Sequence, residues 1–413
     1  MKKIMTLAAV AALVLSACAK IETIETNEAI TFAGYAGNTL TKAGAYGEET
    51  TTTLQTNGFG VFAYQTTGNY SASATPNFMY NTKVSTASWT YSPVKYWPNQ
   101  IADGNTDSQP ATAYQADKVS FFAYAPHVAA TASTGAVTGG TDEGITALTT
   151  NGTAGDPKVT YKVSADLDKQ VDLLWAVSKG ATWTNVASGT NTPANGKPYL
   201  NLQKPAIGTA IHFYFKHALA QLTLTAQAAY NQVAAGGTAK NDVKITIEEV
   251  EISVPGQYQT AVLNLNNTTA NEPLWESQSG SSALDLTVSG ANINSDLLDG
   301  GNVHASAQPD GVTDTEQPVI VDGKYYTIIP KTGSTTVNVK VTYYVTTDDT
   351  DLLAGHSRVQ NVISKDVVFG SGFAAGTKNT IKMILGISEV KFEASVEDWA
   401  DGTDATVNLP VNS

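Results

Sequence analysis

Apolar side chains recur at every second position along much of this 413-residue chain, and that period confines it to β-structure. In the clearest stretch Val337, Val339, Val341, Tyr343 and Val345 alternate with Asn338, Lys340, Thr342 and Tyr344, so one face of the strand is dry and the other wet. Val243, Ile245 and Ile247 repeat the pattern, as do Val390, Phe392, Ala394 and Val396 ahead of Trp399. Gly and Pro break nearly every stretch long enough to be helical, and only 166–171 and 295–298 keep a helical turn. Pro255-Gly256 separates 252–254 from 262–265 in the manner of a hairpin turn. Ile211, Phe213 and Phe215 form one apolar set, and after Lys216 the parity passes to Ala218, Ala220, Leu222 and Leu224. A bulge or bend at His217 accounts for the change. The fold class is all-β, built as sandwiches.

Two stretches, 129–158 and 181–203, are rich in Thr, Gly, Ala and Asn and read as long loops on that scaffold. Strand density resumes at Ile211, which places a domain boundary within 205–215. The net charge is -13, and Arg358 is the single arginine. Nucleic acid is a poor partner for such a chain, because phosphate binding needs dense basic patches.

Cys18 is the only cysteine, which rules out disulfides within the chain and thiolate zinc sites. It follows Lys2 and Lys3, an apolar run from Ile4 to Leu15, and small residues at Ser16 and Ala17. That is the layout of a bacterial lipoprotein signal: residues 1–17 are removed and Cys18 is acylated. The chain is then exported and held to a membrane by lipid. An ordinary secretory signal with an incidental cysteine is the alternative.

Catalytic constellations are thin. The histidines are His127, His212, His217, His304 and His356. His212 and His217, five positions apart, point to opposite faces of a strand. Asp348, Asp349 and Asp351 could hold calcium but lack the Gly and distal Glu of an EF-hand loop, and a solvated hairpin tip suits them better. No nucleophile elbow, phosphate loop or HExxH occurs, and paired carboxylates that meet only in the fold stay open. The chain is therefore read as a non-enzyme without metal or cofactor. Trp183 and Trp275 lie among polar residues, where each could stack on a sugar ring or fill a crevice.

Several motifs occur in a distinctive order. Ala29-Ile30-Thr31-Phe32 leads to Thr41-Lys42-Ala43, and Phe59-Gly60-Val61-Phe62-Ala63-Tyr64 follows. Next come Trp89-Thr90-Tyr91-Ser92-Pro93-Val94-Lys95-Tyr96-Trp97-Pro98 and Phe121-Phe122-Ala123-Tyr124-Ala125-Pro126. Asp172-Leu173-Leu174-Trp175-Ala176 precedes Phe215-Lys216-His217-Ala218-Leu219-Ala220-Gln221-Leu222, and Val396-Glu397-Asp398-Trp399 closes the series. In this the chain resembles the fimbrillin family of Bacteroidales, the type V pilin precursors. Trp89, Trp97, Trp175 and Trp399 are then structural aromatics of two facing cores.

The resemblance implies two transthyretin-like β-sandwich domains in tandem. Residues 1–17 are the signal peptide, 18–42 a propeptide with a candidate first strand, 43–210 the N-terminal domain and 211–413 the C-terminal domain, with a candidate donor strand at 403–413. It implies a stalk, tip or anchor subunit of a cell-surface fimbria, serving adhesion or biofilm formation, lodged in the outer membrane through lipid before processing. Its partners are other fimbrial subunits, a trypsin-like processing protease, and a host or bacterial surface glycan or protein. A surface glycan-binding lipoprotein is the alternative function.

Cleavage between Lys42 and Ala43 would release the first strand, in which Ile30 and Phe32 are assigned to opposite faces. A neighbour's strand would then fill the groove by β-augmentation. The candidate donor carries Ala405, Val407, Leu409 and Val411 on one face, with Pro410 suited to a strand end. That segment could equally be the last strand of its own sandwich.

Overall fold

The computed structural model describes residues 29–36, 50–98, 117–138, 142–180, 183–184, 190–204, 210–228, 243–280, 282–294, 316–348, 353, 356–385 and 390–399. Four sheets of four or more strands carry the fold. The class is all-β, with 56% of the described residues in strands and 6% in helix.

The first sheet has seven strands. Their order is Phe32–Ala36, Ile211–His217, Leu174–Val177, Asp117–Ala125, Phe59–Thr67 and Met79–Val84, with Tyr199–Leu202 also paired to Asp117–Ala125. Its central strands are buried on both faces, which explains why their sequences are near-continuous apolar runs rather than alternating ones. Phe59, Val61, Ala63, Phe121, Ala123, Leu174 and Ala176 enter one core, while Phe62, Tyr64, Phe122, Tyr124 and Trp175 enter another. Gly60 is where two strands crowd: an added Cβ would run into the Tyr124 ring and the Asn81 amide. The Tyr124 hydroxyl donates to Asn81 Oδ1 at 2.8 Å across that gap.

The second core is shared with the rest of the molecule. A five-stranded sheet contains Ala220–Ala228 and Thr377–Leu385, which run parallel, and Val390–Asp398 at its edge. A four-stranded sheet contains Leu284–Ser289, Val243–Val254, Thr335–Asp348 and His356–Phe369. Leu222, Leu224, Ile381, Met383 and Phe392 of the one and Ile252, Val339, Val341 and Tyr343 of the other lie in the same core. Val337, Val339, Val341, Tyr343 and Val345 are all buried, as their alternation predicted.

The remaining four-stranded sheet joins the two halves of the sequence. Gly144–Leu148 and Lys158–Lys162 pair with each other, and Lys158–Lys162 pairs with Thr260–Asn264, which pairs with Leu274–Ser279. Lys158 Nζ reaches Glu276 Oε2 at 2.7 Å, and Asn264 Nδ2 donates to both Glu276 and Asp156.

Several local expectations change. The stretch 129–158 is not a plain loop, since it contains Gly144–Leu148, whose Thr and Ala content hides a strand. Pro255-Gly256 does form a turn, but the strands on either side enter different sheets and make no hairpin. Of the bulge or bend expected at His217, the structure has a bend, at Leu219, and no bulge. The chain leaves the first sheet at His217 and joins the five-stranded sheet at Ala220, so the parity shift marks a change of sheet. The strand Ile211–His217 that follows residue 210 pairs with Phe32–Ala36 and Leu174–Val177 of the first sheet. A helix that the pattern missed spans Thr51–Asn57, closed by reciprocal bonds between Thr50 and Thr53. The turn expected within 166–171 is a 3-10 helix at Leu167–Lys169, while 295–298 lies outside the described residues.

At the crossing, His217 Nδ1 lies 3.0 Å from Asp172 Oδ1, and its ring stacks on Trp399 with centroids 3.9 Å apart. Asp172 and Trp399 are buried, so this contact is dry. His217→Ala should cost about 1–3 kcal/mol for the lost bond to a buried carboxylate and about 0.5–1.5 kcal/mol for the lost ring pair. His212→Ala, on the exposed side of the same strand, should change stability by no more than about 0.5 kcal/mol. Urea unfolding followed by circular dichroism separates the two.

Candidate functional site

The strand Phe32–Ala36 is the feature that sets this fold apart from a closed sandwich. Among the described residues it is the edge of the seven-stranded sheet and pairs only with Ile211–His217. That pairing is parallel, whereas every other pair in the sheet is antiparallel. Its register sets Phe32 against Ile211 and Ala36 against Phe215. Parallel pairing is slightly weaker per residue, and an edge strand is held from one side only.

Side chains supply what the ladder does not. Phe32 is buried, stacked on Phe213 at 5.8 Å between centroids and edge-on to Tyr91 and Phe121 at 5.3 and 6.0 Å. Ile30 and Ala36 enter the same core. The assignment of Ile30 and Phe32 to opposite faces is thereby corrected: residues two apart in an extended strand face the same way. On the outer face Tyr35 is exposed, beside Tyr214 at 6.1 Å, with Lys179 Nζ 4.3 Å from the Tyr214 ring centre and 5.5 Å from that of Tyr35. Such cation–π contacts contribute about 0.5–1 kcal/mol at exposed sites.

The strand's start is strapped down by the aromatic motif at 89–98. Ala29 bridges to Tyr96, and the Ile30 amide donates to the Lys95 carbonyl at 2.9 Å. The Tyr91 hydroxyl donates to the Ile30 carbonyl at 2.7 Å and accepts from the Lys95 amide at 3.2 Å. Burial pushes that hydroxyl above the ordinary phenol range, so it remains a donor at any physiological pH. The strand's end is tied by Thr51, whose hydroxyl donates to the Ala36 carbonyl at 2.8 Å and accepts from the Ala36 amide at 3.2 Å.

The residues expected to carry processing and assembly, namely Cys18, Lys42, Ala43, Ala405, Val407, Leu409 and Val411, all lie outside the described residues. Trp97, Trp175 and Trp399 are buried, and Trp89 packs against the first core, in keeping with structural aromatics. Trp275 also fills a crevice: its indole N–H donates to the Ala218 carbonyl at 3.0 Å and its ring packs on the shared core. Trp183 lies in a two-residue strand. His212 is exposed, while His127 lies against the Asn81 carbonyl at 3.3 Å with its pKa lowered by burial. Among the described residues no cluster of His, Cys, Asp or Glu could hold a metal ion; Asp349, Asp351 and His304 are not among them. No described helix is long and apolar enough to cross a membrane. Sequence reasoning missed Tyr91, Leu54, Gly34 and Lys179 as parts of this site. A glycine inside the alternating set Ile30, Phe32, Gly34, Ala36 was the available signal for a close approach.

An aromatic-filled, all-β body with its first strand set apart at one edge defines the class. The chain belongs to the fimbrillin-like family, whose profile matches residues 41–399. Fimbrium subunit Fim1C of Phocaeicola vulgatus is 27% identical over 385 residues, which cover 88% of this chain and 87% of that protein. A crystal structure of a fimbrial protein from Bacteroides vulgatus has the same fold, with a TM-score of 0.59 at 23% identity, covering 90% of this chain and all of the other.

Phe32→Ala should remove about 3–5 kcal/mol of packing from the edge strand. Amide exchange should then speed up at Ile211, whose N–H donates to the Thr31 carbonyl at 2.9 Å. The exposed Thr31→Ala should leave that protection near the parent value.

Proposed function

We infer that this chain is a structural subunit of a cell-surface fimbria that assembles by exchanging its first strand for one donated by a neighbour. The observation that carries the reading is the edge strand itself. Among the described residues Phe32–Ala36 has a strand partner along one side only, yet it plugs a core with Phe32. Cutting the chain after Lys42 would detach residues up to 42, and with them the strand and the lipid on Cys18. The edge of Ile211–His217 and the pocket among Tyr91, Phe121 and Phe213 would be left open, and both needs are met by a strand from another subunit. The Fim1C relative is by name a fimbrium subunit, which is consistent with a place in a fibre and not with catalysis.

The donor in this reading is 403–413, with Ala405, Val407, Leu409 and Val411 facing inward. Before processing, acylated Cys18 holds the chain to the outer membrane. A second acyl chain or similar signal is needed there, because one chain anchors only marginally. The protease is trypsin-like, since it must accept lysine. Two sandwich domains in tandem are the working scheme for the subunit, with the chain passing from the first sheet to the five-stranded sheet between His217 and Ala220. An anchor subunit would keep residues 18–42 in assembled copies, whereas a stalk or tip subunit would have lost them.

Assembled material should read from Ala43 on N-terminal sequencing, and Lys42→Gln should leave the chain monomeric under the same protease. Polymers whose subunits begin at Cys18 would sink the exchange mechanism and mark an anchor. Cys18→Ala should fail to fractionate with the outer membrane; if it still does, the lipid assignment is wrong.

A further inference from the structure

The site of the edge strand holds two pockets of opposite size, two residues apart. Phe32 fills the large one. Gly34 covers the small one: a Cβ built there would stand 3.1 Å from Leu54, 3.1 Å from Phe59 and 3.3 Å from Trp89. Leu54 and Phe59 are fully buried, so they can give by a few tenths of an ångström but not by the width of a further carbon. Contacts of this length admit a methyl group if the neighbours give by a few tenths of an ångström, and they exclude a branched side chain. Gly34 is not among the glycines with left-handed φ, so space and not backbone conformation demands it. Every wall of this notch lies downstream of Lys42, and none would leave with the first strand.

We propose that the notch sets the direction and register of the donated strand, so that residues 405–409 lie antiparallel to Ile211–His217 with Ala405 in the place of Gly34. This rests on the strand exchange inferred above. Of the inward set Ala405, Val407, Leu409 and Val411, only Ala405 is small enough for the notch. If the donor ran parallel, as the resident strand does, that anchor would send Thr403 into the pocket of Phe32. Run the other way, the same anchor sends Val407 into the pocket of Phe32 and Leu409 into that of Ile30. Large side chains then meet large pockets.

Two independent features of the site agree. The antiparallel direction brings this edge into line with every other pair of the sheet. It also sets Asp404 in the outward place of Tyr35, beside Lys179, where a carboxylate meets an ammonium. The parallel direction would put Thr406 there instead.

The register can be read by cross-linking, because the chain has no cysteine beyond Cys18 and that residue leaves on processing. Resident Ala33 faces exposed His212 and Tyr35 faces Tyr214. In the proposed register Thr406 therefore faces His212. Opposed strand residues have Cα atoms about 4.5–5.5 Å apart, within disulfide reach, whereas positions shifted by two are about 7–8 Å apart.

Full-length Cys18 chains carrying His212→Cys with Thr406→Cys, or Tyr214→Cys with Thr406→Cys, are cleaved after Lys42, assembled, oxidised and boiled without reductant. The first pair should give covalent ladders and the second should not. Ladders from the second pair, or polymers in which neither pair cross-links, overturn the register. Ala405→Leu should slow assembly at least tenfold while Ala405→Gly assembles like the parent, and an unimpeded Ala405→Leu overturns the notch. Polymers that still form after deletion of 405–413 would instead defeat the donor assignment itself, whatever the cross-links show.

Discussion

The arrangement of sheets depends on one short crossing, where the chain leaves the first sheet at His217 and enters the five-stranded sheet at Ala220. Both strands are buried there, so the peptide groups between them must find partners without water. They do. The Ala218 amide donates to the Leu173 carbonyl at 2.8 Å, the Ala218 carbonyl accepts from the Trp275 indole, and the Leu219 carbonyl accepts from the Gly376 amide at 2.8 Å. Trp399 in turn donates its own amide to Gly376 and lays its ring on His217. Three motifs far apart in the sequence, around Asp172, His217 and Trp399, are thus parts of one joint.

That joint, together with the sheet shared by Lys158–Lys162 and Thr260–Asn264, makes one continuous core of the second face of the first sheet and everything downstream. The first face has a core of its own, made by Ile30, Phe32, Leu54, Phe59, Phe121 and Phe213 among others. The two cores share a sheet but not side chains. A loss at the edge strand therefore falls on the smaller core and leaves the larger one filled. Under the strand exchange proposed above, a subunit would have to remain folded while a strand is absent, and burial on both faces of a central sheet supplies the separation this needs.

The aromatic strap at 89–98 and the helix Thr51–Asn57 belong to the same logic. Each ties one end of the edge strand by directed hydrogen bonds, the Tyr91 hydroxyl and Lys95 carbonyl at its start and the Thr51 hydroxyl at its end, and each contributes an apolar wall, Trp89 or Leu54, from outside the strand. The strand is held by a few directed bonds and by the inward side chains of Phe32 and Ala36 rather than by a full ladder on both sides.

The sequence by itself determined the strand class and, within most strands, which side chains go inward. Alternation at Val337 to Val345 and at Ile211 to Phe215 depends only on the two-residue repeat of an extended backbone. The ordered aromatic motifs likewise marked the doubly buried strands. What it left undecided was partnership. Nothing local tells Ile252 and Val262 that they belong to different sheets, tells the Thr- and Ala-rich segment at Gly144 that it will pair with Lys158–Lys162, or tells a Thr-rich run at 51–57 that Leu54 will be buried deeply enough to hold a helix. The notch under Gly34 is of the same kind, because its walls come from positions 54, 59 and 89 and exist only once the chain has folded. Periodicity is a property of one strand, but register, sheet membership and the size of a pocket are set by contacts between residues distant in sequence, and only the tertiary structure brings those together.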